Sequence, residues 1–187
     1  MKVNLLRSLY FVITMYFDIK DTTLEYKRTP KERDNNYLEE DEAIVKRYNN
    51  APLIENGGDR AFYRPSQDLV VVPHIKDFNS PEEYYSTLFH ELVHSTGHPS
   101  RLDREGITGT IKFGSAKYSR EELIAEVGAS MLCGHSGFVQ KTLDNSASYI
   151  QSWINALKGD SRLVVQASSR AQKACEHILG EMGEASE

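Results

Sequence analysis

The run Asn79-Ser80-Pro81-Glu82-Glu83-Tyr84-Tyr85-Ser86-Thr87-Leu88-Phe89-His90-Glu91-Leu92-Val93-His94-Ser95-Thr96-Gly97 specifies both a helix and its chemistry. Ser80 can cap the helix, Pro81 suits the first helical position and Glu83 completes a capping box. Gly97 is a stop signal, so the helix is expected to end at about Thr96. Residues four apart on a helix stand one turn above each other on one face. His90 and His94 can therefore bind one Zn²⁺ together. Glu91, next to the first of them, can reach a water in an open coordination position and take its proton as the water attacks a peptide carbonyl. The histidines are clustered: three of the six in the chain fall between positions 90 and 98.

A hydrolytic zinc site needs a third protein ligand. A third histidine six residues after the second is absent, because position 100 is Ser100 although Gly97 is in place. The other source is a carboxylate from a following helix. The pattern predicts that helix from Ser119 through Leu132, and it offers Glu121, Glu122 and Glu126. Glu122, Ala125, Glu126 and Ala129 share one face by spacing, and the alanines allow a close approach to the histidine helix. Two carboxylates on that stripe read as one ligand plus an acceptor for a histidine N–H. Ser119-Arg120-Glu121-Glu122 is also a capping box, which would occupy Glu122 and leave Glu126 as the ligand. Glu121 is expected to face elsewhere.

Composition sets the frame. A chain of 187 residues fits one domain. With 40% hydrophobic and 26% charged residues it is neither a disordered chain nor a membrane bundle. A net charge of −5 argues against DNA binding by this chain alone. Two cysteines, Cys133 and Cys175, cannot build a disulfide framework or a Cys-rich metal site, so a metal must be held by His and carboxylate. Such ligands also suit Mn²⁺, Co²⁺ or Fe²⁺.

Outward from the helix, residues 61–64 and 69–72 read as strands joined in a hairpin by Pro65-Ser66-Gln67-Asp68. Strand 69–72 is either an interior strand or an edge open to an extended peptide. Residues 98–118 make a loop longer than usual, a length found both in functional lids and in simple disorder. His98 and Tyr118 in it are candidates to hydrogen-bond an oxyanion or the substrate. Leu38, Ile44, Val45 and Tyr48 mark a helix, with Glu39-Glu40-Asp41-Glu42 as its solvated start. Two later helices carry Ile150, Trp153, Ile154 and Leu157, then Val164, Ala167, Ala171, Ala174 and Ile178. Near the N-terminus, about ten mostly apolar residues end at Phe17. They are too few for the ~20 that span a bilayer, and their aromatic and β-branched content reads as a strand rather than an export signal.

Glu122-Leu123-Ile124-Ala125-Glu126 after His90-Glu91-Leu92-Val93-His94 resembles the second helix of glutamate-ligand zincins, with Glu126 where Asp or Asn is usual. Tyr84-Tyr85-Ser86-Thr87-Leu88, Thr96-Gly97-His98, Ser148-Tyr149-Ile150 with Trp153, and Ala171-Gln172-Lys173-Ala174 narrow the likeness. Together they resemble the metallopeptidase domain of ArdC-type antirestriction proteins, the polyvalent-protein zincin-like domain. The resemblance implies an α+β fold: a small mixed or antiparallel sheet packed on the helix that bears the two histidines, followed by a helical C-terminal half. It implies one Zn²⁺ per chain on His90, His94 and Glu122, with Glu91 as general base and Glu126 orienting a histidine or serving as alternate ligand. It implies a peptide or protein substrate, no membrane, and the cytoplasm, where mobile-element proteins act. ArdC-type proteins carry a single-stranded-DNA-binding domain before this module, and the chain is expected to lack it. The expected division is an N-terminal strand and linker over 1–37, the peptidase domain over 38–180 and a tail over 181–187. The alternative function is a non-catalytic antirestriction module that binds DNA or a host nuclease and uses the metal structurally. The sequence sets no oligomeric state.

Overall fold

In the computed structural model, residues 33–108, 115–138, 155 and 161–180 are described. The expected N-terminal strand, the helix around Trp153 and the 181–187 tail lie outside them. The described elements are α1 (Glu39–Arg47), β1 (Leu53–Asn56), β2 (Phe62–Arg64), β3 (Leu69–Val72), α2 (Pro81–Ser95), the single turn α3 (Glu105–Thr108), α4 (Ala116–His135) and α5 (Ser161–Leu179).

The sheet is mixed, in the order β1-β3-β2. β2 and β3 form the expected antiparallel hairpin, with Tyr63 opposite Val70. β1 runs parallel to β3, with Ile54 opposite Val70. Among the described residues β3 is therefore the interior strand, and the reading of 69–72 as an edge is corrected; Val70 and Val72 share a face and are fully buried in the core packed on it. Among the described residues, β1 and β2 are the two edge strands. β1 escapes sequence reading because it is half solvated, with Leu53 62% exposed, and has no regular alternation.

α2 begins as its sequence dictates. Ser80 accepts from the Glu83 backbone N–H, and Pro81 stands at the first helical position. Glu83 reaches back one residue further than a capping box, to the backbone and side-chain amides of Asn79 at 3.2 and 2.8 Å. At the other end Gly97 is needed for space rather than for backbone freedom: a Cβ there would stand 2.5 Å from Ile107 Cγ1.

α4 starts one turn earlier than expected, with Ser115 rather than Ser119 as its cap, accepting from the Tyr118 N–H. This correction frees Glu122 from any capping role. α2 and α4 meet at Gly128, where a Cβ would lie 2.8 Å from Val93 Cγ2. Leu88, Phe89, Leu92 and Val93 of α2, Leu123, Ala125 and Leu132 of α4, and Ala167, Ala171, Ala174 and Ile178 of α5 form the core. Truncating one of its large side chains, such as Leu92→Ala, is a change of about 2–5 kcal/mol. The acidic start of α1 is not wholly solvated as expected. Asp41 is buried, and Glu42 accepts a 2.8 Å bond from the Tyr85 hydroxyl. No helix among the described residues is long and apolar enough to cross a membrane.

Candidate metal centre

The four-residue spacing on α2 brings the imidazoles of His90 and His94 together, with their Nε2 atoms 3.1 Å apart. Glu122, projecting from α4, places Oε2 3.6 Å from His90 Nε2 and Oε1 3.8 Å from His94 Nε2. One donor atom from each of the three lies within 4.8 Å of the others. Ligands about 2.0–2.1 Å from a tetrahedral Zn²⁺ stand roughly 3.3 Å from each other. The observed separations bracket that spacing.

Each imidazole is held from its other side. His90 Nδ1 faces Glu126 Oε1 at 3.5 Å, and His94 Nδ1 faces Glu121 Oε1 at 3.5 Å. A carboxylate at Nδ1 fixes the tautomer that leaves Nε2 free as a donor to a metal. The expectation that Glu121 faces away is overturned. Glu121 lies on the buried line of α4 formed with Ala125, Gly128 and Leu132, at i, i+4, i+7 and i+11. Because that line packs against α2, its first member meets the histidine helix. Buried small residues spaced in this way are the sequence signal that could have located Glu121.

Arg104 is the residue sequence reasoning missed. It follows the turn after α2, is buried, and donates from Nε and Nη2 to Glu121, with the shortest distance 2.6 Å. Nη1 reaches Thr96 Oγ1, and Nη2 reaches the carbonyl oxygens of Val93 and His94. One guanidinium thus satisfies helix-end carbonyls of α2 and fixes the carboxylate behind His94.

Glu91 is buried, and the backbone N–H of Tyr63 on β2 donates to it. Burial raises its carboxyl above the usual range, opposed by His90 and His94. Burial also raises Glu126. Glu122 goes the other way: burial opposes ionisation, but hydrogen bonding to His90 and the two imidazoles bring it down to about 2, with the Tyr118 hydroxyl donating to it as well. For His90, burial disfavours the cation, yet Glu126, Glu122 and Glu91 outweigh it and push the imidazole up to about 10. With neutral imidazoles the cluster sets four carboxylates, Glu91, Glu121, Glu122 and Glu126, against the one guanidinium of Arg104. The donor set fits a divalent cation, which supplies the missing positive charge. Of the two candidate oxyanion or substrate contacts, Tyr118 is brought to Glu122. His98 is placed in the turn after α2, where its Nδ1 pairs with the Ser100 hydroxyl at 2.8 Å.

Residues 39–170 match the family model of the zincin-like metallopeptidases. The chain belongs to that family. Its relatives agree with the resemblance read from the sequence. The chain superposes on crystal structures of the antirestriction protein ArdC from plasmid R388. The TM-score is 0.64 at 38% identity for the Mn(II)-bound form, over 81% of this chain and 55% of that one. For the metal-free form the score is 0.61 at 37% identity, over 80% and 53%. It is 38% identical over 177 residues to DNA primase TraC of Escherichia coli, which covers 95% of this chain and 12% of that protein. It is 36% identical over 132 residues to protein y4eC of Sinorhizobium fredii, or 71% of this chain and 42% of the other. The chain thus spans about half of ArdC and about an eighth of TraC. The donor set and the Mn(II)-bound relative together indicate a divalent metal.

Proposed function

We propose that this zincin-like domain is a metal-dependent peptidase in which His90, His94 and Glu122 hold Zn²⁺ and Glu91 is the general base. The observation that carries the reading is the convergence of three donors on one point, with a carboxylate behind each imidazole and a fourth, buried carboxylate beside them. When bound, the ion supplies an acidified water and a polarised carbonyl.

The protein groups do the rest. Glu91 accepts the water proton, and its raised affinity for protons suits that task. The Tyr63 N–H fixes the carboxylate on the β2 side of α2. Glu121, under the control of Arg104, pairs with His94 Nδ1, and the Glu126 carboxylate faces His90 Nδ1 at 3.5 Å, so each ring has a carboxylate behind it. Tyr118 donates to Glu122 and fixes the orientation of its carboxylate. β2, an edge strand among the described residues, is the edge proposed to take an extended peptide by strand addition, the role that interior β3 cannot take. The substrate is a peptide or protein, and the setting is an ArdC-type antirestriction function in the cytoplasm.

The test is metal content by elemental mass spectrometry together with peptide hydrolysis. The wild type is expected to hold about one zinc per chain, and His94→Ala to lose it. Glu91→Gln is expected to keep the metal and lose hydrolysis by at least the 10²–10⁴-fold typical of general-base removal. An unchanged rate in Glu91→Gln removes Glu91 from the mechanism. The second reading, a non-catalytic module with a structural metal, draws on the relatives named for antirestriction and DNA priming. It requires that Glu91→Gln retain full antirestriction in cells while His94→Ala loses it.

A further inference from the structure

On the far side of Glu121 from His94, the turn after α2, the start of α4 and the middle of α5 enclose a cleft of about 580 Å³. That volume falls within the range of small-molecule sites. Of its five cations, Arg104 and Lys117 are paired with Glu121 and Glu105, and three are not paired among the described residues. Arg120, Arg170 and Lys173 line it, and none of them has an ion pair among the described residues. Arg120 Nε is a buried donor with no acceptor among the described residues, an arrangement that costs free energy unless a ligand or water completes it.

The acidic groups of the cleft are mostly engaged already. Glu121 is held by Arg104, Glu105 pairs with Lys117, and Glu176 accepts from Gln172. Asp103 and Glu176, the latter still charged beneath its neutral amide donor, stand against the three available cations and leave an excess of one positive charge. Ile124 and Leu102 give the wall an apolar strip. Cationic donors lining one cleft beside a small apolar surface suit a compact anion.

We infer that this cleft is a binding site for a small phosphorylated ligand, its phosphate oxygens held by Arg120, Arg170 and Lys173. The ligand is compact rather than polymeric. A nucleic-acid strand needs a continued basic track, and the chain as a whole carries −5. The three cations come from two helices, α4 and α5, so the site exists only in the folded protein. It shares the Glu121–Arg104 pair with the metal centre as a wall but contains none of its three donors, and its existence does not depend on the peptidase reading.

The test is calorimetric titration of the full chain with inorganic pyrophosphate, without added divalent metal, alongside a 20-nucleotide single strand. Saturable 1:1 binding of pyrophosphate is expected. Arg170→Ala and Lys173→Ala, both at exposed positions, are each expected to weaken it about tenfold, as loss of a charge-assisted bond does. His90→Ala is expected to leave it unchanged. Any of three results overturns the inference: no binding at millimolar pyrophosphate, binding lost in His90→Ala but kept in both α5 variants, or binding of the single strand through Arg170 and Lys173 more tightly than pyrophosphate.

Discussion

His90 is the residue on which the electrostatics of the centre turn. Surrounded by Glu126, Glu122 and Glu91, its imidazole is pushed up to about 10, so at neutral pH it is protonated when protein groups alone surround it. A metal ligand must be neutral, so metal binding has to expel that proton. Metal association at pH 7 is expected to release about one proton from His90, and the apparent affinity to rise about tenfold per pH unit toward pH 10. Calorimetry in two buffers of different ionisation enthalpy measures the release directly. Equal heats in both buffers contradict it. Residue spacing pairs the two histidines, since residues four apart share a helix face, but it leaves Glu122 and Glu126 both open as the third ligand; Glu122 is nominated by the resemblance to glutamate-ligand zincins. Glu121 and Arg104 were not legible in the same way. Assigning Glu121 required reading the line of Ala125, Gly128 and Leu132 rather than the glutamate stripe as the face against α2, and Arg104 lies in a loop whose path no periodicity encodes.

At the scale of elements, the distance between α2 and α4 sets the separation between Glu122 and the imidazoles. Gly128 controls that distance, since a Cβ there meets Val93 Cγ2 at 2.8 Å. Gly128→Ala is expected to destabilise the fold by about 1–3 kcal/mol through overpacking and to weaken metal binding. Adding Val93→Ala is expected to restore part of the metal affinity, read by metal titration beside urea unfolding. The β2–β3 turn supplies a second case. Asp68 sits in the left-handed region at φ 47°, accepts from the Tyr63 hydroxyl and is clasped by Arg101, which also donates to the Ser95 carbonyl at the end of α2. Burial opposes ionisation of Asp68, but those two donors hold its carboxyl below the usual carboxylate value. A depressed folded-state pKa contributes stability above the unfolded value of about 3.9 and loses it as pH falls through the folded value. Asn tolerates the left-handed backbone, so Asp68→Asn tests the charge alone. It is expected to cost roughly 1 kcal/mol at pH 7, after solvent screening, and nothing once the wild-type carboxyl is protonated, as followed by thermal melts from pH 7 to pH 2. The hairpin itself was readable, because two β-rich runs flank a Pro-Ser-Gln-Asp turn. β1 was not, because its pairing is parallel and borrowed from β3, and its own side chains are mostly in water.

For the whole molecule, the acidic cluster and the core are built from the same two helices. α2 and α4 bury Phe89, Leu92, Leu123 and Leu132 on the surfaces that also carry the histidines and glutamates. Folding therefore gathers four carboxylates around one guanidinium and two imidazoles, and hydrophobic burial has to carry that repulsion. A divalent ion bound only by the folded chain relieves it and stabilises the fold by mass action, about 2.7 kcal/mol at a free-ion concentration one hundred times Kd. For a domain of this size each kcal/mol moves the midpoint by about 2–4 °C. Dialysis against a chelator is expected to lower the melting temperature by about 5–10 °C, and readdition of Zn²⁺ or Mn²⁺ to restore it. His94→Ala is expected to melt at the same temperature with and without metal. A wild-type melting temperature indifferent to chelation means that the carboxylates are balanced by protons alone, and the charge argument for a resident ion then fails at the level of the whole fold.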